Sequence, residues 1–128
     1  VLLEEKWASP ASELTHGEQR KLEIAILLSL DPEILFLDEP TTGVDAVSRK
    51  EFWDILFDMK KEGMTILIST AYLDEGEKCD QLALMHKSRI IQTAAPNVIQ
   101  ADFPDLEEAM IGHIKEVDQE LIDDRFGI

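Results

Sequence analysis

Four consecutive apolar residues, Ile34-Leu35-Phe36-Leu37, run directly into Asp38 and Glu39 and stop at Pro40. A short, uninterrupted apolar run bounded by turn signals predicts a strand buried on both faces, as in a parallel α/β sheet. Pro40 has no N–H to give to a ladder, so the strand ends there. The two carboxylates then emerge at its carboxyl end, the rim on which open α/β sheets place their ligands. Paired at that rim, they suit a hard cation and a general base for activating water. A bare Asp-Glu-Pro fits an acidic strand-to-loop turn without chemistry equally well, so the flanking segments have to decide.

Upstream, Ser9-Pro10-Ala11-Ser12 reads as a loop and Trp7 as a packing residue. Thr15 and Glu18 have the Thr-x-x-Glu spacing of a capping box. This places a helix start at Thr15, with Gly17 in a first turn whose backbone can be approached closely. Leu22, Ala25, Ile26 and Ser29 or Leu30 continue a packed face, and Asp31-Pro32 ends the helix. A capped helix start behind a loop offers free N–H groups and a positive dipole end, which suits phosphate; an ordinary capped helix has the same features.

Downstream, Thr41-Thr42-Gly43-Val44 is a polar turn and Asp45 an N-cap. Phe52, Ile55, Leu56 and Met59 give the next helix an apolar face, with Gly63 just past its end. Met64 to Ser69 reads as a second buried strand. Strand, helix and strand at this length predict a right-handed parallel crossover. Asp74 to Lys78 reads as a short exposed helix, and Gln81 to His86 with Arg89 to Gln92 as a hairpin around Lys87-Ser88. Ala95-Pro96 and Phe103-Pro104 are breaks. From Asp105, Leu106, Met110, Ile114, Val117 and Leu121 recur at helical spacing opposite a mostly acidic face, a stripe that faces a core or a partner.

Length and charge narrow the function. The chain has 128 residues, room for one core at most. Its 12 Lys and Arg against 27 Asp and Glu give a net charge of −15. That balance argues against nucleic acid and against adhesion to an anionic membrane surface. No apolar run reaches the roughly 18 residues that span a bilayer, and no stretch reads as a secretory leader. The lone Cys79 fits a reducing, cytoplasmic setting. The sequence opens on Val1, which fits a chain that begins inside a longer protein.

Together these segments resemble the second half of an ATP-binding-cassette domain, the motor of transport ATPases. Leu14 to Arg20 stands where that family has its signature loop, Ile34 to Asp38 matches the Walker B strand, and Glu39 the catalytic glutamate. Thr42-Gly43-Val44-Asp45 matches the D-loop, and Ser69-Thr70-Ala71-Tyr72 falls where the switch-histidine loop belongs. The run from Asp38 to Asp45, and Tyr72-Leu73-Asp74-Glu75 near Cys79-Asp80, are most similar to bacterial exporter cassettes of the drug-efflux type.

The resemblance implies an α/β fold with an incomplete parallel-sheet core of the P-loop-NTPase kind, flanking helices and a C-terminal amphipathic helix. Residues 1–95 are then the carboxyl-terminal half of a nucleotide-binding domain, and residues 96–128 an acidic helical tail or linker. It further implies ATP and Mg²⁺ as ligands, with Asp38 holding the metal and Glu39 orienting or deprotonating the attacking water. Thr15, His16, Gly17 and Glu18 would face ATP held by a second cassette, and Gly43 and Asp45 would carry information across that dimer. A membrane permease is the other implied partner, with the cassette cytoplasmic and peripheral to the inner membrane.

The chain also departs from the family. No Gly-x-x-x-x-Gly-Lys-Ser/Thr occurs in it, so there is no phosphate cradle and the chain alone is expected to be inactive. Ala71 occupies the switch-histidine position, and a methyl group cannot hydrogen-bond a γ-phosphate. His16 stands where the family has glycine. Two readings follow: an energy-coupling ATPase of an exporter, or a degenerate, non-catalytic cassette that regulates or docks a partner. A third class, the soluble cassettes of translation or DNA repair, calls for basic surfaces that this acidic chain lacks.

Overall fold

The computed structural model describes residue 10 and residues 13–127. The expected packing of Trp7 and most of the loop at Ser9–Ser12 lie outside those residues. The chain divides into two compact units, Val1–Ala71 and Tyr72–Ile128.

The first unit runs α1 (His16–Leu28), β1 (Ile34–Asp38), α2 (Ala46–Lys61) and β2 (Thr65–Ser69). β1 and β2 pair in parallel, from Ile34 opposite Thr65 to Asp38 opposite Ser69, so strand, helix and strand form the expected βαβ unit. Asp45 caps α2 by accepting from the Ser48 N–H at 3.0 Å. Past the other end of that helix Gly63 takes φ +97°, which a side chain would resist. Phe52, Trp53, Leu56 and Met59 are buried along α2, and Leu35 of β1 is buried with them.

Two packing expectations do not hold. Among the described residues β1 and β2 are covered on one face rather than two. Leu35, Leu37, Ile66 and Ile68 turn inward, while Phe36 is 69% exposed and Leu67 60%. The helix that connects the strands shields a single side of the pair, and successive strand residues point to opposite sides. On α1 the packed face is Gly17, Glu18, Lys21 and Ile24; Ile26 and Leu30 are exposed. α1 leans on α2 through its first two turns, where the Lys21 ammonium pairs with Glu51. The paired polar side is therefore the one that packs.

The second unit holds α3 (Leu73–Gly76), β3 (Leu82–His86), β4 (Arg89–Ala94), α4 (Pro96–Ile99) and α5 (Leu106–Phe126). β3 and β4 form the expected hairpin, with Lys87 and Ser88 both at positive φ, as a tight two-residue turn needs. Its core is Leu84, Ile99, Leu106 and Ala109, so hairpin, α4 and α5 share one apolar centre. The boundary expected between residues 95 and 96 falls inside this unit. The short helix expected to be exposed is so only in part: Asp74, Glu77 and Lys78 are exposed, while Glu75 and Gly76 are buried. A Cβ on Gly76 would lie 3.1 Å from Leu82 and 3.3 Å from Leu106. Pro96 starts α4 where the sequence shows a break, because proline is tolerated in a first helical turn. No helix among the described residues is long and apolar enough to cross a membrane.

The bare face of β1 and β2 makes one expected outcome measurable. Replacing Phe36 and Leu67 together with threonine should keep the helical circular-dichroism signal and lower the light scattering of concentrated protein, because it removes an exposed apolar strand face. Unchanged scattering would show that this face does not drive association.

Candidate functional site

The parallel register brings the last residues of both strands together. At the carboxyl end of β1 the Asp38 and Glu39 side chains are exposed. The Ser69 hydroxyl, at the end of β2, donates to Asp38 Oδ1 and accepts from the Glu39 N–H at 2.9 Å. The Ser69 carbonyl accepts from the same N–H at 3.0 Å. Glu39 has φ +42°, a left-handed backbone that a side chain adopts at a cost. Pro40 disfavours the right-handed α region for the residue before it. The chain leaves the strand by a left-handed turn, rather than the extended backbone usual before proline, and the turn is closed by Thr42 N–H to the Glu39 carbonyl at 3.3 Å. Gly43 continues the turn at φ +77°.

A second group forms at the start of α1. Thr15 and Glu18 complete the capping box: the Glu18 N–H donates to Thr15 Oγ1 at 3.2 Å, and the Thr15 N–H to Glu18 Oε1 at 3.3 Å. Thr15 Oγ1 also donates to Glu18 Oε1 at 2.9 Å. Glu18 is buried by this arrangement, so its carboxylate holds the loop rather than facing outward. The His16 side chain is exposed. The N–H groups of His16 and Gly17 belong to the first turn, which helix geometry leaves without an intrahelical acceptor. Gly17 is closely approached, as expected, but by protein: a Cβ there would collide with Cβ and Oγ of Ser48, with Asp45 Oδ1 3.7 Å away. The signature-like loop and the cap of α2 are thus brought together.

The Ser48 backbone N–H, and after it the Ser48 hydroxyl, hold the Asp45 carboxyl below its ordinary value of 3.8. Ala71 lies two residues past β2, exposed, and its methyl group has nothing to donate or accept. Two contributors received no role of their own in the sequence reading: Ser69, placed only as the end of a strand and the start of the switch-loop segment, and Ser48. The signal for Ser69 was the register itself, since equal-length strands in a βαβ unit set their last residues side by side.

Asp38 and Glu39 can do two things from here. An exposed carboxylate with one oxygen held and the other open fits Mg²⁺, which binds through one or two carboxylates, waters and substrate phosphates. The next residue, Glu39, is an exposed carboxylate, a group able to act as a general base toward water.

A family profile described as ABC transporter matches residues 2–42. A probable multidrug ABC transporter ATP-binding protein, YbhF of Escherichia coli (strain K12), is 36% identical over 115 residues, which is 84% of this chain and 20% of that protein. The Nod factor export ATP-binding protein I of Burkholderia orbicola (strain AU 1054) is 40% identical over 98 residues, 76% of this chain and 32% of that protein. The chain therefore spans a third or less of these relatives' lengths. Among solved structures, an ATP-binding subunit of an ABC transporter superposes with a TM-score of 0.75 at 25% identity, covering 88% of this chain and 49% of that one. The ADP conformation of an ATP-binding cassette of an ABC transporter gives 0.64 at 28% identity, covering 78% and 41%.

The contact between the two loops has measurable consequences. Gly17→Ala should cost about 1–3 kcal/mol by overpacking against Ser48. The cost should shrink in a Ser48→Gly background, and urea unfolding of the four-member cycle checks the coupling. Asp45 is a depressed carboxylate, so its capping stabilises above the unfolded value of 3.8 and fades as pH falls through its lower folded value. The stability deficit of Asp45→Ala should accordingly be present near neutral pH and close in acid, as read from urea midpoints across that range.

Proposed function

We propose that this chain, which belongs to the ATPase domains of ABC transporters, is the part of an exporter's ATP-hydrolysing subunit that supplies the cation ligand, the water-activating glutamate and a loop for a neighbouring cassette's nucleotide. The observation that carries the reading is the pair of exposed carboxylates at the end of β1, tied to β2 through Ser69.

In this reading Asp38 holds Mg²⁺ through its water shell, and the ion neutralises phosphate charge when bound. Glu39 orients the attacking water and takes its proton as oxygen bonds to the γ-phosphorus and the bridging oxygen leaves with ADP. Phosphoryl transfer asks mainly for position and charge neutralisation, and two carboxylates fixed on a strand end supply position. The other half of the site lies at α1. The His16 and Gly17 N–H groups and the positive end of the helix dipole face the γ-phosphate of ATP bound to a second cassette. Glu18 and Thr15 keep that loop in shape. Asp45, one Ser48 side chain away from Gly17, couples the loop to the turn that carries Glu39. A permease in the membrane is the partner that uses the work, and the cassette sits on the cytoplasmic side.

The 128 residues contain no glycine-rich lysine loop, so we assign them no turnover by themselves. Hydrolysis belongs to the complete cassette. Ala71 removes one γ-phosphate contact and lowers the rate without removing either carboxylate.

The experiment is ATPase turnover of the full-length subunit. Glu39→Gln should lower kcat by about 100-fold or more while leaving ATP binding within a few-fold, since general-base catalysis contributes roughly 100 to 10,000-fold. Ala71→His should raise kcat in the wild-type background and have no effect in the Glu39→Gln background. Full activity in Glu39→Gln would remove the assignment.

A further inference from the structure

We propose that Ser69 is a positioning residue for the hydrolytic site, holding Asp38 and Glu39 in one fixed relation across the two strands. The proposal rests on the ATPase reading above and extends it to a residue to which the sequence pattern gave no role toward the two carboxylates.

A serine hydroxyl has one proton to donate and lone pairs to accept with. Here both capacities are used, and both on the same feature. The proton goes to Asp38 Oδ1, and a lone pair receives the Glu39 N–H at 2.9 Å. One consequence concerns the cation. With Oδ1 engaged, rotation of the Asp38 carboxylate is stopped, and Oδ2 is the oxygen left for a metal or its water. Groups that hydrogen-bond a metal-binding carboxylate fix its direction, and losing them weakens metal binding by roughly 10 to 100-fold.

The other consequence concerns the water. Glu39 sits at φ +42°. That backbone persists only where its surroundings over-determine it. Its N–H has two acceptors, and both belong to Ser69. Removing the hydroxyl leaves the Ser69 carbonyl as the remaining acceptor for the N–H of a strained residue, beside the Thr42 N–H on its carbonyl, and loosens the aim of the Glu39 carboxylate. Ser69 also opens the loop that carries Ala71. In this chain the hydroxyl of Ser69 is a side-chain link between that loop and both carboxylate residues, whereas the side chain of Ala71 has no group to make one.

The test uses the full-length subunit with Mn²⁺ as the probe of the cation site. The ion is titrated beside a non-hydrolysable ATP analogue and followed by its electron paramagnetic resonance, in parallel with Mg²⁺-dependent turnover. Ser69→Ala should raise the Mn²⁺ concentration at half-saturation by roughly 10-fold and lower kcat, with nucleotide affinity in EDTA held within about twofold. Ser69→Thr, which keeps the hydroxyl, should restore both.

A Ser69→Ala protein that melts like wild type and keeps its Mn²⁺ half-saturation within about twofold overturns the proposal. So does Ser69→Thr as impaired as Ser69→Ala, because shape rather than the hydroxyl would then be responsible. If Ser69→Ala loses its thermal transition, Ser69→Cys, a weaker donor, is judged by the same criterion. Wild-type protein that binds Mn²⁺ but hydrolyses nothing sinks the ATPase reading, while the Mn²⁺ titration still decides on Ser69. Wild-type protein that binds no Mn²⁺ overturns both.

Discussion

One side chain at the end of β2 holds the functional end of the first unit. Asp38 stands opposite Ser69 in the parallel register, and the Ser69 hydroxyl touches both the Asp38 carboxylate and the Glu39 N–H. The register is set by the crossover: β1 and β2 have five residues each, with α2 returning the chain to the same starting level. A slip by one residue would turn Leu35 and Leu37 outward and would also move Ser69 off the carboxylates. Hydrophobic burial at one end of the strands thus decides hydrogen bonding at the other.

Proline sharpens this arrangement. Asp31 and Glu39 both precede proline, and both take positive φ, +49° and +42°. Asp31 does so where α1 must stop before β1, and an Asp tolerates the left-handed region better than most residues. Glu39 is held instead by the acceptors that β2 supplies to its N–H and by the Thr42 N–H on its carbonyl. A strained backbone of this kind costs about 1–3 kcal/mol and is kept where the surroundings insist on it. A rigid exit from the strand is what the water-orienting role proposed for Glu39 requires, since a small misplacement is expensive in rate.

The start of α1 follows the same logic with different residues. Its capping box uses up Thr15 and Glu18, leaving the backbone of His16 and Gly17 as the open part of the turn. Gly17 is glycine because Ser48 occupies the space where a Cβ would be. Ser48 in turn supplies the N–H that Asp45 accepts. In the second unit, polar contacts again position a helix. His86 and Lys87 at the hairpin tip meet Asp118 of α5 at 3.0 and 2.7 Å, and Lys87, then His86, hold that carboxyl below its ordinary value.

Much of this was legible in the amino-acid order, because local chemistry determines it. The capping box at Thr15 and Glu18, the cap at Asp45, the left-handed Gly63, the hairpin at Lys87-Ser88 and the strand ending at Pro40 all follow from residues a few positions apart. The sequence by itself also determined that Asp38 and Glu39 leave a strand end together. Which faces are covered was decided by tertiary structure. An apolar run shows that a strand can be buried on both sides, but here α2 covers only one, so Phe36 and Leu67 remain exposed. The α1 face expected from its apolar residues yielded to Lys21 and Glu51, an ion pair between residues 30 positions apart. Ser69 and Ser48 acquired their roles in the same way. A serine carries no periodic signal, and its value depends on what the fold brings within hydrogen-bonding distance of its hydroxyl.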